Sequence, residues 1–303
     1  MKKAPASGPP LRLGVPKGSL EQATVELFRK AGWKIKGSER SYFPAIDDPE
    51  IRCALVRPQE MPRYIAGGTL DAGVTGKDWI EENEVDLHVV ADFVYSKASL
   101  RPTRWVLAVP ADSPIQTIED LNGRRIASEM THFTSRYFQS RGIDVEVEFS
   151  WGATEAKAAD GLVDGIVEVT ETGSTIKAHG LRIVADLLES NPQLVASREA
   201  WRDPWKREKI EQIALLLQGG MAAESRVGIK MNVRRDCLDR VIEMIPSITA
   251  PTVSNLYPTP ALGGEEWFSV ETVIEEATIR DLIPGLIKAG AVGIVEYPLN
   301  KVI

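Results

Sequence analysis

Short apolar runs rich in β-branched residues alternate with helical stretches over the first two thirds of the chain. "LRLGVP" (11–16) leads into an amphipathic pattern from Leu20 to Ala31, and "IRCALVRP" (51–58) into a helix near 59–67. "LDAGVTG" (70–76), a short helix and "VDLHVVADF" (85–93) complete the series. Strand, helix and strand at this spacing predict right-handed βαβ units in a largely parallel sheet. From Trp105 the rhythm restarts: "WVLAVP", "IEDLNGRRIAS", a helix around 131–140, "VEVEFS", a helix near 154–160 and "GIVEV". Two such units in series predict two α/β lobes, the first over 11–104 and the second over 105–184, with a cleft between them. Residues 191–224 read as an extended segment followed by a long amphipathic helix, so that about 185–224 complete the first lobe.

Beyond Ser225 the texture changes. "RVGIKMNV" is a strand, "RDCLDRVIEMI" a helix, "TAPTVSNL" and "EEWFSVETVI" strands, "TIRDLIPGLIKAGA" a helix and "VGIVEYPL" a closing strand. That order, β-α-β-β-α-β over 225–303, is the ferredoxin-like pattern of small α+β domains.

Composition narrows the class without deciding the function. The 303 residues are 43% hydrophobic and 26% charged, ordinary for globular domains. Cys53 and Cys237 lie far apart and make no metal or redox spacing, which points to a reduced, cytoplasmic protein. His88, His132 and His179 are scattered and give no support to a zinc site. The N-terminus has no apolar stretch long enough for a signal peptide, and no segment approaches a membrane span. A formal charge of -7 disfavours nucleic acid and membrane surfaces as partners. Trp201 and Trp205 sit among charges in "REAWRDPWKRE", either as a base-stacking surface or, as the acidic balance favours, as anchors for a surface segment.

Candidate chemistry concentrates in "EVTETGST" (168–175), which follows an apolar strand. Hydroxyls where a helix should begin cap it and leave its first amides available, and those amides with the helix dipole attract phosphate without any lysine. Gly173 permits a left-handed turn and close backbone approach. Glu168, at the strand end, is placed to accept from vicinal ribose hydroxyls. The loop thereby suits a ribose 5-phosphate; Thr170, Thr172 and Ser174 would also suffice for a plain N-capped helix.

The longer stretch "EAKAADGLVDGIVEVTETGST" resembles the signature of the ATP phosphoribosyltransferases, the first enzymes of histidine biosynthesis. "GVPKGSL", "LVRPQEMPRYIAGGTLDAGVTGKDWIEE", "DLNGRRIAS" and "KAGAVGIVEYPLNK" carry the likeness over 11–303, with Glu168 where the family usually has aspartate. The resemblance implies a two-lobed catalytic part like that of periplasmic solute-binding proteins plus a C-terminal ferredoxin-like regulatory domain. It implies that N1 of the adenine of ATP attacks the anomeric carbon of phosphoribosyl pyrophosphate, with Mg2+ carried by the pyrophosphate and not by a protein cage. It assigns Glu168, Val169, Thr170, Glu171, Thr172, Gly173, Ser174 and Thr175 to the phosphoribosyl group. Lys17 and Arg57, after the first two strands, are candidates for catalysis and for the phosphates. Lys77, Asp78, Arg104 and Lys97 could also reach ATP, or serve as a helix cap and surface ion pairs. Glu155 could orient the loop or merely favour a helix N-terminus. The C-terminal domain implies a long-form, histidine-inhibited enzyme, with histidine near Asn232, Ile248, Thr252, Val273 and Gly293, and dimers assembling into hexamers. The alternative is a two-lobed solute-binding or ligand-sensing module without catalysis, since "DLNGRRIA" and the two-lobed rhythm occur there too.

Overall fold

The computed structural model describes residues 8–37, 42–93, 102–258 and 263–303; Lys97 lies outside them. In the first lobe, β1 (Leu11–Pro16), α1 (Glu21–Ala31), β4 (Ile51–Val56), α2 (Met61–Ala66), β5 (Ala72–Gly76), α3 (Lys77–Asn83) and β6 (His88–Asp92) follow one another. Two-residue strands β2 (Ile35–Lys36) and β3 (Ala45–Ile46) form a small ribbon between α1 and β4. The second lobe contains β7 (Thr103–Pro110), β8 (Arg124–Ser128), α4 (Thr131–Gln139), β9 (Val145–Phe149), α5 (Thr154–Ala159), β10 (Gly165–Thr170), α6 (Ser174–Ala178) and β11 (Leu181–Ser190). The chain then returns as β12 (Pro192–Ala196), α7 (Arg198–Arg202) and α8 (Pro204–Ala222).

Each lobe is built on a five-stranded sheet, ordered β4-β1-β5-β12-β6 and β11-β7-β10-β8-β9. Neither is wholly parallel: β12 runs antiparallel to β5 and β6, and β7 runs antiparallel to β10 and β11. The hand-over expected near 185 falls inside β11, which stays in the second sheet to Ser190 before β12 inserts into the first. Gly14 lets α2 lie close on the first sheet, because a Cβ there would meet Met61 Sδ at 2.2 Å. Trp201, one of the two tryptophans set among charges, stacks on His88 with ring centroids 3.9 Å apart.

Lys209 of α8 is 8% exposed and donates to Asp48 at 2.7 Å and Glu50 at 2.8 Å. Burial opposes charge on both Lys209 and Asp48, but their mutual hydrogen bonds outweigh it, raising the ammonium pKa and lowering that of the carboxyl. The raised Lys209 value contributes stability below the ordinary lysine value of 10.5 that is lost as pH rises through the folded value. The lowered Asp48 value contributes stability above 3.8 that is lost as pH falls through the folded value. Lys209→Met is therefore expected to cost roughly 2 kcal/mol near neutral pH, with two partly buried carboxylates deprived of their shared cation. Thermal melts should also show the variant losing less stability than the parent as the pH is raised towards the lysine's titration.

The compact C-terminal unit, Leu215–Ile303 with Lys30–Gly32, contains β13 (Arg226–Arg234), α9 (Arg235–Met244), β14 (Thr252–Asn255), β15 (Trp267–Glu275), α10 (Glu276–Lys288) and β16 (Ala291–Pro298). The element order is the ferredoxin-like one read from the sequence, in an antiparallel sheet ordered β14-β15-β13-β16. Val227, Ile229, Met231 and Val233 alternate along β13 into a core with Leu238 and Val241 of α9 and Leu286 of α10. The intervening Gly228, Lys230 and Asn232 lie on the opposite sheet face.

Candidate functional site

Parallel strands bring their carboxyl ends to one edge, and the loops that follow them make a cleft of about 660 Å³ in the two-lobed unit. Lys17 follows β1 and Arg57 follows β4, two neighbours paired from Leu11–Ile51 to Pro16–Val56, so the two cations lie on the same wall. Among the described residues neither is in an ion pair, and Lys17 Nζ rests 3.8 Å from the centre of the Tyr42 ring. The other wall carries Val169, Thr170, Glu171, Thr172, Ser174 and Thr175. A protein of net charge -7 thus presents two cations, in no ion pair among the described residues, opposite a hydroxyl-rich turn.

Within that turn Gly173 is left-handed at φ 76°, where side chains with a Cβ are strained. Its amide donates to Thr170 Oγ1 at 2.8 Å, and the Ser174 amide to Thr172 Oγ1 at 3.3 Å. The hydroxyls therefore fold back on part of the amide cradle, rather than leaving all its donors free. Glu168 bends onto the amide of Val169 at 3.0 Å and is off the cleft wall. Burial raises its pKa, the Val169 amide offsets part of that, and the nearby Glu155 carboxylate adds to the rise. Glu155 itself sits in the first turn of α5, also off the wall.

Three further candidates for ATP are held by other partners in this geometry, although Asp78 also lines the cleft. Asp78 is buried, and its oxygens accept from Trp105 Nε1 at 2.8 Å and the Trp79 amide at 2.9 Å. Its own amide donates to Ser190 Oγ at 3.1 Å, so Asp78 joins the first lobe to two strands of the second. Burial raises its pKa, only partly offset by the Trp105 hydrogen bond. Lys77 places its backbone amide on Asn191 and is not on the cleft wall. Arg104 is spent on Asp186 at 2.8 Å at the surface of the second lobe.

Two wall residues were not anticipated. Gln59, just past Arg57, donates from Nε2 to Glu129 Oε1 at 3.1 Å across the lobes. Glu129 directly follows β8, the strand-end position shared by Lys17 and Arg57, and its place after "RRIAS" was the available signal. Burial raises the Glu129 pKa, the Gln59 hydrogen bond opposes this, and the charge on Asp78 adds to it. Nearby, Glu82 of α3 accepts from the His132 and Phe133 amides at 3.1 and 2.8 Å, capping α4 from the other lobe.

In the C-terminal unit, β-register places Asn232, Thr252 and Val273 on the sheet face away from the helices. Gly293, left-handed at φ 59°, adjoins Asn232, whose Nδ2 lies 3.6 Å from where a Cβ would be. Ile248 is 57% exposed ahead of β14. Among the described residues, no group of three or more His, Cys, Asp or Glu could hold a metal ion. No described helix is long and apolar enough to cross a membrane.

The family model described as ATP phosphoribosyltransferase matches residues 57–219, and that described as HisG, C-terminal domain, matches 223–301. The chain is 60% identical to "ATP phosphoribosyltransferase" of Desulfatibacillum aliphaticivorans over 292 residues, 96% of this chain and 98% of the relative. The protein of the same name from Solidesulfovibrio magneticus is 60% identical over 97% of this chain and 98% of its own. A solved "ATP phosphoribosyl transferase (HisG:HisZ) complex from Thermotoga maritima" has a TM-score of 0.61 at 30% identity, covering 71% of this chain and 100% of that one.

Proposed function

The chain belongs to the ATP phosphoribosyltransferase family, as a long-form member, and from that premise we propose how its cleft performs the first step of histidine biosynthesis. The enzyme is a pentosyltransferase, a glycosyltransferase whose substrates are ATP and phosphoribosyl pyrophosphate. N1 of adenine attacks the anomeric carbon, the bond to pyrophosphate breaks, and phosphoribosyl-ATP forms. A ring nitrogen is already nucleophilic, so the protein's task is to position the reactants and stabilise developing charge. The turn at 169–175 receives the 5-phosphate, while Lys17 and Arg57 oppose the charge growing on pyrophosphate.

The single observation that carries this reading is the pair of cations, in no ion pair among the described residues, facing the hydroxyl turn across one cleft. Magnesium enters on the substrate's phosphates. The test is incubation with ATP, phosphoribosyl pyrophosphate and Mg2+, with pyrophosphatase to pull the equilibrium. An N1-ribosylated adenine nucleotide supports the reading, and nucleotide binding without turnover sinks it.

The same reading makes the enzyme cytoplasmic and assembled from dimers into hexamers, with histidine held on the open face of the C-terminal sheet as a feedback inhibitor. Asn232→Ala is expected to raise the histidine concentration for half-inhibition about tenfold while leaving uninhibited turnover intact, within the usual 1–3 kcal/mol of coupling. An unchanged inhibition curve would move the effector site elsewhere.

A further inference from the structure

The turn between β9 and α5 is strained and has a buried polar interior. Gly152 (φ 76°) and Ala153 (φ 52°) are successively left-handed, and Ala153 is one of two non-glycine residues in that region among the described residues. A backbone cost of this kind persists where the flanks are firmly held. Ser150 and Thr154, each 1% exposed, flank the pair and join their hydroxyls at 2.9 Å. Closing a turn needs no more than that. Lys157, half-buried on α5, nevertheless donates from Nζ to Ser150 Oγ at 2.8 Å, and it is in no ion pair among the described residues.

The chain of hydroxyls leads on to Glu168. Helix α5 packs on β10, and Thr154 is the side chain on it that hydrogen-bonds towards the Glu168 carboxyl. The charges bearing on that carboxyl are of its own sign, Glu155 of α5 and Glu129 past β8. Arg104 of β7 is bound to Asp186, and α6 carries Lys177 in its last turn. Burial raises the Glu168 pKa most; the Val169 amide and the Thr154 hydroxyl oppose this by hydrogen bonding, and the two carboxylates add to the rise. An ammonium only donates and a carboxylate only accepts, so the protons between them are ordered: Lys157 to Ser150, Ser150 to Thr154, Thr154 to Glu168. Bonds aligned in one direction strengthen one another.

We propose that Lys157, Ser150 and Thr154 are positioning residues that act through Glu168, holding its carboxylate as the acceptor for the vicinal hydroxyls of the donor ribose. The inference rests on the phosphoribosyl-transfer reading and adds to it a device behind the cleft wall. Val169, one residue on, lines the cleft, so Glu168 stands at the strand end beside the phosphate turn. A protonated Glu168 would turn a donor towards Thr154, break the order of the chain and offer the ribose one acceptor fewer. Ribose recognition is therefore present above the titration of Glu168 and lost as the pH falls through it. Removing the Lys157 charge lets burial and the two neighbouring carboxylates move that titration to higher pH.

The test measures phosphoribosyl pyrophosphate affinity by calorimetry with Mg2+ across the neutral and mildly acidic range, with ATP titrated in parallel. Lys157→Met is expected to weaken donor binding roughly fivefold at neutral pH, with parental affinity regained as the pH is raised and ATP binding unchanged. Thr154→Val should weaken it about tenfold, and Thr154→Ser should restore most of the loss. In a Glu168→Gln background Lys157→Met should cost nothing further, because the group it acts through no longer ionises. Unchanged donor affinity overturns the proposal. So does a loss that is independent of pH, equal for both substrates, or undiminished in the Glu168→Gln background. If donor affinity follows the expected pH dependence but the wild type forms no ribosylated nucleotide, the positioning chain stands and the reaction assigned to the cleft falls.

Discussion

Valine at Gly173 is expected to lower kcat/KM for phosphoribosyl pyrophosphate by more than about a hundredfold, some 2.7 kcal/mol of transition-state binding. Two independent costs meet there. The backbone is at φ 76°, where a β-branched residue is strongly disfavoured. A Cβ would also stand 3.1 Å from Ile183 Cδ1, against the ten-residue strand β11. The contact asks Ile183 to give by a few tenths of an ångström, while the strained φ pushes on the backbone and with it on the Gly173 amide bonded to Thr170 and the Gly173 carbonyl that accepts from Lys177 N at 3.1 Å. Since α6 has only five residues, a displaced first turn has little helix behind it to restore the geometry. ATP affinity should change far less. Steady-state kinetics with each substrate varied in turn decide the matter; a parental KM for phosphoribosyl pyrophosphate would remove the turn from the site.

Arg57→Ala is expected to reduce kcat by about 10²–10³, the scale of losing one preorganised donor at a site of developing negative charge. The melting temperature should hardly move, because the side chain is exposed and in no ion pair among the described residues. Lysine at the same position should recover part of the rate, keeping the charge but not the planar fork. Burial raises the Glu129 pKa and the charge on Arg57 offsets a small part of that rise, so Glu129 should titrate somewhat higher in the variant. A kcat within threefold of the parent would show that Arg57 is merely a solvated residue.

Most of what positions this site could be read from hydrophobic periodicity. Lys17, Arg57 and the 168–175 turn were found because each follows a short apolar run, and the fold puts the ends of such parallel runs together. Two kinds of feature escaped. The strand Leu181–Ser190 has register shifts between Ile183 and Ala185 and between Asp186 and Leu188, which break the period of two that marks a strand. Asp78 looks like a cleft carboxylate or a helix cap, and only its distant partner Trp105, 27 positions away, makes it a buried joint. Gln59 and Glu129 are separated by 70 positions, and no local pattern announces that they touch. Long-range pairing between lobes leaves no periodic trace.

The antiparallel strand β12 also bears on how this chain is made. In the first sheet it lies between β5 and β6, and among the described residues β6 pairs with no other strand there. A nascent chain has therefore completed β11 of the second sheet before the strand that closes the first one leaves the ribosome. Until then β6 has no neighbour to bind, and the growing polypeptide exposes an open, apolar edge to chaperones or to aggregation. The second lobe is contiguous from β7 to β11 and needs nothing synthesised later to finish its sheet. Although it is translated after most of the first lobe, it is the one able to fold first.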